Sequence, residues 1–121
     1  MTAPNIVNVA TITGKTAVLK SSDLTDNTAT SIVANSASSN KVFKVNALLI
    51  SNIDGTNNVE IGVSILRSSN SYFIASTVVI PADASLDVLS KAIYLEEGDA
   101  LQITPSVAAR VNAVCSYEEI S

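Results

Sequence analysis

Eleven carboxylates, seven cations, one thiol and no histidine define the chemistry open to this 121-residue chain. Without imidazole there is no Ser–His or Cys–His nucleophile pair and no histidine ligand for a metal. The side chain that titrates near neutral pH is missing as well. Paired carboxylates stand at Glu96-Glu97, with Asp99 close by, and at Glu118-Glu119. Neighbours on a strand point to opposite faces, so neither pair is a ready-made acid–base dyad. Glu96, Glu97 and Asp99 surround Gly98 with clustered oxygens of the kind calcium favours, but EF-hand spacing is absent. Solvated turn acids are the simpler reading. Gly14-Lys15-Thr16 has the ending of a phosphate loop, yet the full pattern needs another glycine where Val9 stands. These residues read instead as a turn between two short strands. Cys115, the single cysteine, has no internal partner and reads as a small core residue. No catalytic residue, metal site or cofactor emerges. The chain reads as a structural or binding protein and not as an enzyme.

Charge narrows the partners. The net charge is −4, and five Lys and two Arg are scattered singly along the chain. Nucleic-acid binding needs a basic patch to displace phosphate counterions, so it is not expected here. The same holds for an anionic membrane surface, and no apolar run approaches the roughly 18 residues of a membrane span. The opening Met1-Thr2-Ala3-Pro4-Asn5 lacks the features of a secretory signal, which leads to the expectation of synthesis in a cytoplasm. Ser, Thr and Asn are abundant, with 17, 10 and 11 residues, beside 14 Val and 12 Ile. That mixture suits β-strands with polar turns and argues against disorder.

The elements follow from period-two patterns. Asn58 to Arg67 is the clearest strand, with Val59, Ile61, Val63 and Ile65 on one face. Val107 to Glu118 alternates likewise and puts Val111, Ala113, Cys115 and Tyr117 together. Lys41 to Ile53 is apolar on both faces, with Phe43, Val45, Ala47 and Leu49 on one and Leu48 and Ile50 on the other. Such a strand is covered on both sides, by the core and by a subunit contact or a second layer. Tyr72 to Pro81, Leu86 to Leu95 and Ala100 to Thr104 complete the second half. Ile6 to Thr13, Ala17 to Lys20 and Ser31 to Asn35 are weaker candidates in the first. Asp54-Gly55 is read as a hairpin between two long strands, and Gly98-Asp99 as a second one. Phe43, Phe73 and Tyr94 are expected in the core, with Tyr72 and Tyr117 nearer the edge. The expected fold is all-β: one two-sheet β-sandwich, jelly-roll-like, of about eight strands. Residues 1–12 form an extended arm or first strand, and residues 13–121 form the sandwich. The first segment either pairs within its own sheet or adds to the sheet of a neighbour.

Several segments carry a family resemblance. Ala3-Pro4-Asn5-Ile6-Val7-Asn8-Val9-Ala10-Thr11-Ile12-Thr13-Gly14-Lys15-Thr16 resembles the opening of small virion structural proteins from tailed phages of marine cyanobacteria. Similar stretches run from Lys41 to Asn52, from Ile80 to Val88, from Ile93 to Asp99 and from Cys115 to Ser121. The resemblance implies a capsid or tail component present in many copies in the virion. It points first to a capsid decoration protein, a homo-oligomer such as a trimer that clamps neighbouring shell subunits. On that reading Ile6, Val7, Val9 and Ile12 touch a neighbour, and Leu48 and Ile50 form a second contact surface. The alternatives are a neck, tail or fibre-associated protein, or a module binding host-surface carbohydrate through Tyr72 and the Glu96–Asp99 turn. A carboxylate hydrolase would need Glu60 or Asp87 paired with another acid in a pocket.

Overall fold

A computed structural model describes residues 11–24, 27–107 and 110–121. Two antiparallel sheets face each other. The first holds β1 (Ile12–Leu19), β9 (Val111–Ile120) and β3 (Val42–Asn52), in that order. Beyond β3 lie two short strands, β6 (Ser85–Asp87) and β7 (Ile93–Leu95), pairing with its two ends. The second sheet runs β2 (Thr30–Ala34), β8 (Ala100–Pro105), β4 (Val59–Arg67) and β5 (Asn70–Ile80). With β6 and β7 taken as one interrupted strand, these are two four-stranded sheets, the all-β two-sheet sandwich expected from the sequence.

The core lies between the sheets and is aliphatic. Val59, Ile61 and Val63 of β4 meet Val111, Ala113 and Cys115 of β9 in one buried cluster. Both series alternate as their sequence dictates. A fully buried aliphatic side chain contributes about 1.5–3 kcal/mol, so this cluster is the main source of stability. Leu24, just after a 3-10 turn at Ser21–Asp23, also reaches the core.

Strand β3 departs from simple alternation. Its register with β9 slips between Val45 and Ala47, leaving Asn46 as an extra residue. A bulge of one residue reverses the side chains that follow it. Phe43 and Val45 therefore face inward, but so do Leu48 and Ile50, both with no exposure. The expectation that Leu48 and Ile50 form an outer contact surface is thus corrected: they are core, and Leu49 takes the outward position. Strand β5 carries two such irregularities. Gly62 of β4 stands between the pairs Ile61–Val78 and Val63–Ala75, so that Ser76 and Thr77 oppose one residue. Ile74 is then extra between the pairs Val63–Ala75 and Ser64–Phe73. The two shifts cancel, so Phe73 keeps the outward phase of Val79 and is 58% exposed, not in the core. Tyr94 is likewise exposed, since it pairs with Lys44 on the outer face of β3. Phe43 is buried and contacts the half-buried Tyr117, with ring centroids 5.4 Å apart.

Other expectations also change. Gly14-Lys15-Thr16 is no turn; it lies inside β1, paired with Glu118, Tyr117 and Ser116. Thr11 and Ser121 exchange backbone hydrogen bonds of 3.0 and 2.9 Å beside it. Asp54-Gly55 joins β3 to β4, which belong to different sheets, so it is an arch and not a hairpin. The Glu96–Asp99 segment is a second arch, from β7 to β8. The true two-residue hairpin is Ser68-Ser69, where φ values of 52° and 65° give the mirror-type turn that suits twisted strands. Leu86 to Leu95 splits in two because Asp87 Oδ1 accepts from the Leu89 N–H at 3.1 Å and Leu89 dips into the core.

Because Asn46 sets the inward register, Leu48→Ala should cost about 2–5 kcal/mol. The adjacent Leu49→Ala should change stability by no more than about 0.5 kcal/mol. Urea unfolding of both variants checks this, and equal losses would contradict the bulge.

Candidate interaction surfaces

The outer face of the first sheet is built by alternation on β9. Its inward residues leave Asn112, Val114, Ser116 and Glu118 facing out. Register then aligns their neighbours: Val18 of β1 and Leu49 of β3 both pair with Val114. The three apolar side chains form one row across the sheet, with 68%, 38% and 44% exposure for Val18, Val114 and Leu49. On one side lies a row of small side chains, Thr16, Ser116 and Ala47. On the other, Ser51 pairs with Asn112 and with Ser85, whose hydroxyl lies 2.8 Å from its own. An apolar centre with a small polar margin is the composition of a protein–protein contact.

Of the residues singled out in sequence, Ile12 is exposed at the start of β1. Ile6, Val7 and Val9 lie outside the described residues, as does the rest of the expected arm up to residue 10. The row Val18–Val114–Leu49 was not visible in the sequence, because its members come from three strands far apart in the chain.

A polar cluster sits at the hairpin end of the second sheet. Arg67, the last residue of β4, donates through Nε and one terminal nitrogen to Asp99 at 2.8 and 2.5 Å. The same nitrogen reaches Glu96 at 3.0 Å. Asp99 also accepts the Glu96 N–H at 2.8 Å, closing the β7–β8 arch around Gly98, whose φ is +88°. Arg67, Ile65 and Tyr72 line one cavity, and Arg67 also bonds Glu96 and Asp99 of the turn. Two carboxylates against one guanidinium leave the cluster net negative, which disfavours an anionic ligand. Glu97 turns away to accept the Asn40 N–H at 2.9 Å. Glu96 and Asp99 therefore share Arg67, and Glu97 serves a separate partner. Among the described residues no group of three His, Cys, Asp or Glu is placed to hold a metal ion.

Hydrogen bonds from Arg67 hold the Asp99 carboxyl below the ordinary aspartate value, against the opposing effect of its burial. Glu119 accepts from both Lys15 and Lys41 at 3.1 Å. Cys115 has no exposure, and desolvation raises its thiol to about 11.

The fold has solved counterparts. The chain is similar over its whole length to a structure from Bacillus endospore appendages, which form a novel family of disulfide-linked pili. The TM-score is 0.56, with 16% identity over 100% of this chain and 96% of that one. It also overlaps two structures of a pentameric capsid protein isolated from metagenomic phage sequences. Their TM-scores are 0.39 and 0.38, at 17% and 15% identity, covering 95% of this chain and 64% and 62% of those chains. No protein-family model matches the sequence, and no curated protein does.

Two outcomes follow. A native thiol reagent should leave Cys115 unlabelled at pH 8, and labelling should appear only on denaturation; rapid native labelling would place β9 the wrong way round. The depressed Asp99 carboxyl makes its contribution complete above the unfolded-state value near pH 4, and lost as pH falls through the lower folded value. The stability gap between wild type and Asp99→Asn should therefore stay constant above about pH 5 and shrink below about pH 4. Urea titrations across that range measure it, and a gap that widens on acidification would reverse the assignment.

Proposed function

We propose that this chain is a non-enzymatic structural subunit of a virion, and specifically a capsid decoration protein packed against shell subunits in many copies. The observation that carries this reading is the exposed row Val18–Val114–Leu49 on a regular sheet face. Its energetics favour a repeated assembly over an isolated complex. Each side chain is about half exposed, so full burial gains on the order of 1 kcal/mol apiece. Association costs at least about 4 kcal/mol in lost rotational and translational freedom. Three such residues cannot hold one partner alone, but a homo-oligomer, such as a trimer, presents the row several times at once.

The end-to-end sequence resemblance to virion proteins of marine cyanobacterial phages supports the same reading. So does the fold shared with the Bacillus endospore appendages, which form disulfide-linked pili. Here the single cysteine is inside the core, so contacts between copies are non-covalent. A place at the neck or tail is the second reading within the particle.

Cryo-electron microscopy of particles that contain the chain tests this by counting copies. Decoration requires hundreds over the capsid lattice, whereas a few copies at the neck or tail would remove it. A Leu49→Lys, Val114→Thr double variant, which sets the lysine beside Asp87, should fold with little change in melting temperature and be missing from particles. Incorporation at wild-type copy number would show that this face is not the contact.

A further inference from the structure

We propose that the cleft beside Phe73, on the outer face of the second sheet, binds one residue of a neutral saccharide. The two irregularities of β5 create the cleft. Ser76 and Thr77 bulge out opposite Gly62, and the second shift returns Phe73 to the same outer face. Bulges beside an edge strand are a common means of re-aiming side chains toward a ligand. The Phe73 ring lies over Gly62, with Cε1 only 3.2 Å from where a Cβ would stand. Any side chain at position 62 would push the ring away. Glycine there keeps the ring down on the sheet, and its other side stays open to solvent.

Around the ring the lining is hydroxylic. Thr104 pairs with Gly62 from the β8 side, and Ser76 and Thr77 flank it from β5. Ser106 accepts the Glu60 N–H at 3.1 Å, which fixes the oxygen and leaves the hydroxyl proton to donate. Asn27 and the Glu60 carboxylate complete the rim. Among the described lining residues Glu60 is the one charged group, so phosphate, sulfate and acidic sugars are disfavoured. A stacked nucleobase is disfavoured too, because its backbone phosphates would meet a net negative surface. A lipid chain would meet hydroxyls where it needs apolar walls. What remains is a ligand with an apolar ring face for Phe73 and hydroxyls for the rim, which describes a neutral sugar. The cleft of about 200 Å³ is smaller than the ~300–1,000 Å³ of sites for drug-sized molecules. That suits a single sugar ring of a chain crossing an open surface. The site is distinct from Tyr72 and Arg67, and it does not depend on the apolar face of the first sheet.

The test is an amide-resolved NMR titration of the full chain with methyl glycosides of glucose, galactose, mannose and N-acetylglucosamine. At least one should give saturable shifts at the amides of Gly62, Phe73 and Thr104, with a dissociation constant on the order of millimolar. Phe73→Ala should weaken binding about tenfold or more, and Phe73→Tyr should preserve it. Phe73 is exposed, so both variants should keep the wild-type melting temperature. No saturable shift with any of the four sugars, shifts mapping to another face, or undiminished binding by Phe73→Ala would each overturn the proposal.

Discussion

The sandwich depends on its arches. Apart from the Ser68-Ser69 hairpin and the β6–β7 link, each connection between strands passes from one sheet to the other. Backbone groups in such passages leave the ladders, and burying them unpaired is costly. Two buried asparagines, one near each end of β3, supply what is missing. Asn52 donates its amide to the Asn57 and Ile80 carbonyls at 2.9 and 3.0 Å and accepts the Asp54 N–H at 2.9 Å. Asn35 donates to the Lys41 and Leu95 carbonyls at 2.9 and 3.1 Å and accepts from the Ser39 hydroxyl. Its backbone also pairs with Gly98 and Asp99. A carboxylate in either place would have no protons to give, and an aliphatic residue would leave the partners of the side-chain amide unpaired.

Those arches explain why the Arg67–Asp99 pair matters beyond its own energy. Arg67 ends β4 in the second sheet, while Asp99 closes the arch entering from the first. The pair therefore ties the hairpin end to the same arch that Asn35 anchors from below. At the other end of β3, Arg110 reaches Asp54 at 3.0 Å and its carbonyl accepts the Ile53 N–H, joining the β3–β4 arch to the start of β9. Neither ion pair is fully buried, so each owes its value to position and to hydrogen bonding more than to bare charge.

How far the sequence could be read depended on how regular each strand is. Val59, Ile61 and Val63, like Val111, Ala113 and Cys115, alternate without interruption, and their burial was legible from spacing alone. The all-β sandwich followed from such runs. Nothing in Val45-Asn46-Ala47 announces an extra residue, however, and that one slip reversed Leu48 and Ile50. Phe73 differs: its two slips against β4 cancel, and it stays on the outward face of Val79, which a strand apolar on both faces did not reveal. Asp54-Gly55 has a turn composition, but whether a turn makes a hairpin or an arch depends on partners distant in sequence. Ser68-Ser69, the true hairpin, lacks the Asn or Gly that usually marks one. Among candidate surfaces, Tyr72 and the Glu96–Asp99 turn were named from their residue types, but Arg67, which bonds the turn and lines a cavity with Tyr72, was not. The Val18–Val114–Leu49 row was illegible because register creates it.

Bulges thus divide the molecule into two faces with different physical character. On β9 the pleat is unbroken, and the slip in β3 falls before Ala47, so Leu49 and Val114 still stand in register with Val18. That outcome is a broad, even surface, suited to another broad surface. Strand β5 is irregular in its middle, so the second sheet presents a recess where a large flat partner would leave voids. A small ligand fits such a recess, and a protein face does not. Rigid arches serve both ends. A frame pinned at each end of β3 loses little conformational freedom when it docks, so a modest apolar row is not offset by ordering costs. The constraint that lets the strands cross between sheets is therefore the one that leaves their outer faces free to bind.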